Sequence, residues 1–148
     1  SALDSWLMLR SIKTLGVRIE RQAENALALA RWLGTLPDVT EVLYPGLPEH
    51  PGYALQKKQA RGAGGMISFK VRCAEIAKAS LGRLQLIAFA ESLGGVETLL
   101  TYPIAQTHAE MPAAFLARTG LDDKLLRLSV GIEDVEDLKA DLQQALQG

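Results

Sequence analysis

A strand arginine among apolar neighbours needs a negative partner, and Arg127 stands inside Leu125-Leu126-Arg127-Leu128-Ser129-Val130. Strict alternation places it on one face with Leu125 and Ser129. The partner can be internal, Glu133 or Asp134, or it can be the carboxylate of a bound ligand, gripped bidentately by the planar guanidinium. Glu91-Ser92-Leu93-Gly94-Gly95 interrupts an apolar region with small and polar residues, and its glycines let another group approach the backbone. Taken alone, it reads as a turn. His108, in Thr107-His108 after Tyr102-Pro103, could act as a general base, but no sequence-adjacent Ser or Cys nucleophile accompanies it. A capping or loop-stabilising role suits it better.

Other constellations carry less. Gly62-Ala63-Gly64-Gly65 has the look of a phosphate loop, yet it precedes a strand and no Lys-Ser or Lys-Thr leads from it into a helix. Glu133, Asp134, Glu136 and Asp137 imitate a metal site, but they fall at the start of the last helix, where negative charge suits the dipole. Cys73 is the only cysteine, so there is no internal disulfide, and the two histidines, His50 and His108, are far apart. No metal is expected, and a reducing, cytoplasmic compartment is the default.

The elements that must position these residues fit one domain. The chain has 148 residues, 48% apolar and 22% charged, enough to bury roughly 70% of its unfolded surface. A net charge of -1 leaves no basic excess for phosphates, which argues against nucleic acid. No apolar run reaches the ~18 residues of a membrane span. The opening Ser1-Ala2-Leu3-Asp4 lacks an initiator Met and enters a helical pattern at once, which reads as a severed start.

From Asp4 to about Leu36, apolar residues recur at spacings of three and four, from Trp6, Leu9, Ile12, Leu15 and Ile19 through Ala23, Ala26, Ala30 and Leu33. One long amphipathic helix of about 45 Å is expected, capped by Asp4, bent at Gly16 and stopped by Gly34 and Pro37. Strands are expected over 39–43, 66–71, 86–90, 96–102 and 125–130, and helical segments over 53–60, 75–84, 112–118 and 134–146. The fold class is α+β, with a mostly antiparallel sheet of about four strands and helices packed on it.

Taken together and in order, Glu91-Ser92-Leu93-Gly94-Gly95-Val96-Glu97, Thr107-His108 and Leu126 to Asp134 resemble the trans-sulfuration family of pyridoxal-phosphate enzymes, which includes cystathionine γ-synthase, β-lyase and γ-lyase and methionine γ-lyase. Asp4-Ser5-Trp6-Leu7, Lys13-Thr14-Leu15 and Tyr44-Pro45-Gly46-Leu47 agree, and the resemblance covers essentially the whole chain. Ser11 departs from it, where the family usually has Gly.

The resemblance implies that Arg127 grips the α-carboxylate of an amino-acid substrate, that Ser92 and Thr107 assist, and that Glu91 lies where the distal ammonium of cystathionine would be received. Such a clamp orients the Cα–H bond for proton removal while the cofactor serves as electron sink. The family's Schiff-base lysine, phosphate-binding residues and pyridine-pairing Asp lie upstream of the matched region. No catalytic or cofactor-binding residue is therefore expected in this chain, and Lys13 is no substitute for the lysine.

Residues 1–36 would form the helix linking to the pyridoxal-phosphate domain, and 37–148 the C-terminal domain of a homotetramer acting on a sulfur amino acid by β- or γ-elimination or replacement. Glu91 favours cystathionine over methionine as the substrate, and the reading leans to a β-lyase or γ-synthase reaction. Alone, the chain is expected to be inactive and to self-associate through uncovered apolar surface. The rival is a non-catalytic interaction or regulatory module derived from the family.

Overall fold

The computed structural model describes residues 1–106 and 108–147, with all their side chains except those at 113 and 117. Its helices are α1 (Ala2–Ile12), α2 (Leu15–Leu33), α3 (Tyr53–Gln59), α4 (Ala74–Leu81), α5 (Ala113–Thr119) and α6 (Val135–Gln147), with a 3-10 turn at Pro103–Ala105. The strands are β1 (Val39–Leu43), β2 (Met66–Val71), β3 (Ala88–Phe89), β4 (Leu99–Thr101) and β5 (Leu125–Ser129).

They form one five-stranded sheet in the order β1-β2-β5-β4-β3. All neighbours are antiparallel except β3 and β4. The expected α+β class with a mostly antiparallel sheet holds; each of the five expected stretches contributes a strand, so the sheet has five strands and not about four, and its edge pair β3–β4 is parallel.

Period-two alternation decides which side of the sheet is core. Ile67, Phe69 and Val71 of β2, Leu126 and Leu128 of β5 and Leu100 of β4 are fully or almost fully buried, together with Ala26, Leu29, Ala30 and Leu33 of α2 and Leu138 and Leu142 of α6. The helices thus cover one face. Met66, Ser68 and Lys70 of β2 alternate with the buried set and are only partly covered on the other face.

The expected single N-terminal helix is two helices. The break falls at Lys13 and Thr14, and Gly16 lies inside the first turn of α2. Thr14 leaves helical geometry at φ -107°, ψ 2°. Its backbone N–H and Oγ1 both turn back to the Ser11 carbonyl, and Arg18 donates to that carbonyl at 3.1 Å and to Thr14 Oγ1 at 3.2 Å. These bonds satisfy groups that an unbroken helix would have paired.

Asp4 is not the N-cap. Ser1 is, and Asp4 sits three residues on in a capping box, its N–H donating to Ser1 Oγ. The stop at Gly34 is as expected.

Burial divides this N-terminal part sharply. No residue of α1 is buried, and Leu3, Trp6, Leu7, Met8, Leu9 and Ile12 are all exposed. The second half of α2 enters the core. Among the described residues no helix is long and apolar enough to cross a membrane.

Three strands are shorter than expected, 125–129 by one residue, and 88–89 within 86–90 and 99–101 within 96–102 by more. The backbone of 85–87 bonds to the Asp141 carboxylate, and Val96 and Thr98 bond to residues 131–133. Groups committed there are not available to extend a ladder.

Candidate functional site

Arg127 occupies the middle of β5, paired across the ladder with Ser68 on one side and Thr101 on the other. Its neighbours Leu126 and Leu128 are buried in the helix-covered core, so Arg127, Leu125 and Ser129 lie on the opposite face. Arg127 itself is half-buried.

Among the described residues no hydrogen bond or ion pair holds its guanidinium. The two acids that could have held it are engaged elsewhere. Glu133 accepts from Thr98 N at 2.5 Å and from Thr98 Oγ1 at 2.8 Å, and Asp134 accepts from Glu136 N at 2.8 Å. Lys70, the nearby cation on the same face, is held by Asp122 at 2.9 Å and Glu41 at 3.8 Å.

A half-buried guanidinium without a protein partner among the described residues is able to take an anion. A planar carboxylate meeting the fork of donors matches it best.

Glu91 and Ser92 are exposed in the segment that follows β3. Three bonds fix that segment near Arg127. Ala90 N–H donates to the Leu100 carbonyl at 3.1 Å, and the Ala90 carbonyl accepts from Thr101 Oγ1 at 2.9 Å, Thr101 being the residue opposite Arg127 on β4. Gly94 N–H donates to Ser129 Oγ at 3.0 Å, two residues along β5 from Arg127 on the same face. Gly94 reaches that bond at φ +77°, a conformation that a side chain disfavours.

The structure therefore brings Glu91 and Ser92 to the Arg127 side of the sheet, with no hydrogen bond joining them to it. Thr107 lies outside the described residues. His108 donates its backbone N–H to the Pro103 carbonyl at 2.9 Å, closing the turn after the 3-10 segment.

A polar frame behind this loop was not legible beforehand. Gln22 Nε2 donates to the Gly95 carbonyl at 2.6 Å, and Asn25 Nδ2 donates to the carbonyls of Gly131 at 3.2 Å and Glu133 at 2.9 Å. Thr98 Oγ1 accepts from Gly131 N–H at 2.8 Å, and Ile132 N–H donates to the Val96 carbonyl at 2.8 Å. The one sequence signal was two amides, Gln22 and Asn25, on the side of α2 that continues through Ala26 and Leu29 into the core. Farther off, Asp141 of α6 accepts from the backbone N–H groups of Gln85, Leu86 and Ile87 at 2.8 to 2.9 Å. Burial opposes ionisation of that carboxyl, yet these donors and Gln144 outweigh it and hold it below the ordinary carboxylate range.

Among the described residues no lysine is both enclosed and free of an acid partner. A pyridoxal-phosphate site needs an enclosed lysine and an anchor for phosphate. Lys13 is exposed at the end of α1, Lys70 is bound by two acids, and Lys139 is paired with Glu136 at 2.7 Å. The 62–65 glycine segment feeds β2, so it presents no helix N-terminus to an anion. No group of three or more His, Cys, Asp or Glu that could hold a metal occurs among the described residues.

Comparison with known proteins shows the family of the chain. Residues 1–147 match the family model described as Cys/Met metabolism PLP-dependent enzyme. The chain is 50% identical over 144 residues to cystathionine beta-lyase of Coxiella burnetii, covering 97% of this chain and 37% of that protein. It is 49% identical to cystathionine gamma-lyase of Bacillus subtilis (97% and 38%) and 48% identical to cystathionine gamma-synthase of Mycobacterium leprae (99% and 37%). Cystathionine gamma synthase from Xanthomonas oryzae pv. oryzae, solved in complex with cystathionine, superposes with a TM-score of 0.93 at 44% identity, covering 99% of this chain and 38% of that one. The chain thus spans well under half the length of the relatives it matches. By sequence and by fold, it belongs to the Cys/Met metabolism family of pyridoxal-phosphate-dependent enzymes.

Proposed function

We propose that this chain is the C-terminal, substrate-carboxylate-binding domain of an enzyme that carries out β- or γ-elimination or replacement on a sulfur amino acid, of the cystathionine β-lyase or γ-synthase type. The observation that carries the reading is the half-buried Arg127 guanidinium, which no acid of the described chain neutralises. It binds the α-carboxylate of the substrate through two charge-assisted hydrogen bonds. Ser92 and Thr107 add donors to the same carboxylate, and the exposed Glu91 receives the distal ammonium of cystathionine. Holding the amino acid at both ends fixes the direction of its Cα–H bond, the geometric share of the catalysis that this domain supplies. Pyridoxal phosphate, carried elsewhere in the intact enzyme, supplies the electron sink.

The exposed apolar side chains of α1 support a larger assembly. A helix that is apolar on nearly every side is one that a bigger protein buries. Residues 1–36 then lead from the cofactor-binding part into the domain at 37–148, within a cytoplasmic homo-oligomer.

The test is to join the chain in frame to the portion of its Bacillus subtilis relative that it does not cover. The joined protein and the chain alone are then assayed for pyruvate and 2-oxobutyrate from L-cystathionine in the presence of pyridoxal phosphate. Keto acid from the joined protein and none from the chain alone is the expected result, and the ratio of the two products reports β- against γ-cleavage. Turnover by the isolated chain, or none by a folded, cofactor-loaded joined protein, defeats the reading.

A further inference from the structure

Helix α2 changes character along its length. Its second half contributes Ala26, Leu29, Ala30 and Leu33 to the core, all fully buried. On the turns before, the same side presents Gln22 and Asn25, only 3% and 2% exposed. Buried amides are costly unless bonded, and apolar side chains of the same size could have continued the stripe.

What the amides do that apolar groups cannot is directional. All three of their bonds go to backbone carbonyls in two segments remote in sequence, Gly95 in the loop after β3 and Gly131 and Glu133 in the turn after β5. The stem of Gln22 packs closely over Gly65, where an added Cβ would sit a tight 3.2 Å from both Gln22 Cβ and the Val130 carbonyl. The two segments are also tied to each other, through Ile132 to Val96 and through Thr98 to both Gly131 and Glu133. In front of this frame the loop carries Glu91 and Ser92, and Gly94 bonds Ser129 beside Arg127.

We infer that Gln22 and Asn25 are positioning residues: through Gly95, Gly131 and Glu133 they set where the 91–97 loop sits over β5, and with it the placement of Ser92 relative to the Arg127 guanidinium. The functional half of this inference rests on the proposed function, and the structural half does not. Neither amide touches the substrate.

Two readouts test it. In the chain itself, Gln22→Met and Asn25→Leu keep side-chain size and remove the donors. Hydrogen exchange of the Gly94 and Ile132 amides then speeds at least tenfold, beyond any change at amides of β2, because the local frame opens before the core does. In the joined enzyme, each variant raises the KM for L-cystathionine about five- to tenfold while kcat changes less than twofold. Leu29→Ala, a core truncation that lowers the melting temperature as much or more, leaves KM where it was.

Unchanged local exchange overturns the structural half. A KM that moves no more than in Leu29→Ala, once local exchange has been seen to rise, overturns the positioning role. A joined wild-type enzyme that makes no keto acid counts against the proposed function instead, and the exchange measurement still decides whether Gln22 and Asn25 hold the loop.

Discussion

Replacing Asp141 by asparagine keeps the size and shape of the side chain and removes its charge, at a residue only 6% exposed whose two oxygens serve three backbone donors. The amide oxygen can keep part of that set, but its NH2 group must face N–H groups left without an acceptor. Two charge-assisted bonds are lost at about 1.5–3 kcal/mol each, so the variant should be about 3–6 kcal/mol less stable. For a domain of this size each kcal/mol corresponds to ~2–4 °C, which gives a melting temperature roughly 6–24 °C lower.

The pH dependence has a definite sign. The folded-state carboxyl is held below its ordinary value, so its stabilisation is present above the unfolded pKa of about 4 and is lost as pH falls through the folded value. Melting curves followed by circular dichroism should therefore show the full difference at neutral pH and a shrinking one below about pH 4. A variant that melts within about 2 °C of the parent at neutral pH, or a gap that survives unchanged into strong acid, would refute the reasoning. Because Gln85 to Ile87 lead directly into β3 and so to Glu91, the loop should lose exchange protection along with the stability.

Gly131→Ala places a Cβ against the Val96 carbonyl oxygen, Glu133 Oε2 and the Glu97 backbone, two of them main-chain atoms that cannot swing away. A loss of more than about 2 kcal/mol is expected from chemical denaturation, whereas Gly62→Ala, which meets nothing within 4 Å, should be nearly silent. The amides of α1 in the isolated chain should exchange with less than about tenfold protection, since an 11-residue helix with no buried residue is marginal in water, whereas those of Leu29 and Leu33 should exchange only on global unfolding. Strong protection throughout α1 in a chain shown to be monomeric would contradict the exposure described for it.

The sequence made some of this legible for clear physical reasons. The alternation in Met66 to Val71 has period two because one face is core, and the spacing of Leu126 and Leu128 gave the face of Arg127 without knowledge of the fold, although Leu125 and Ser129 on that face are buried too. The face of α6 through Leu138, Leu142 and Ala145 was equally plain.

The break at Lys13 and Thr14 was not legible. The apolar spacing through Ile12, Leu15 and Ile19 runs on regardless, and the break depends on bonds made by Thr14 and Arg18. The frame around the site was hidden for a different reason. Gln22 meets a carbonyl 73 residues away and Asn25 one 106 residues away, and nothing local distinguishes such amides from solvated helix positions. The lengths of β3 and β4 were missed for the same cause, since residues 85–87 bond to Asp141 and residues 96–98 to 131–133 across the fold.

The most direct measurement is the kinetics of Arg127→Met in the joined enzyme, set beside the melting temperature of the same variant in this chain. If the guanidinium exists to hold a substrate carboxylate, kcat/KM for L-cystathionine falls by about a hundredfold or more, the value of two charge-assisted bonds, while the chain melts within about 2 °C of its parent, since no protein group loses a partner. A kcat/KM within about threefold of the parent, or a large drop in melting temperature with no greater effect on kcat/KM than a core truncation produces, would show that Arg127 serves the fold and not the substrate.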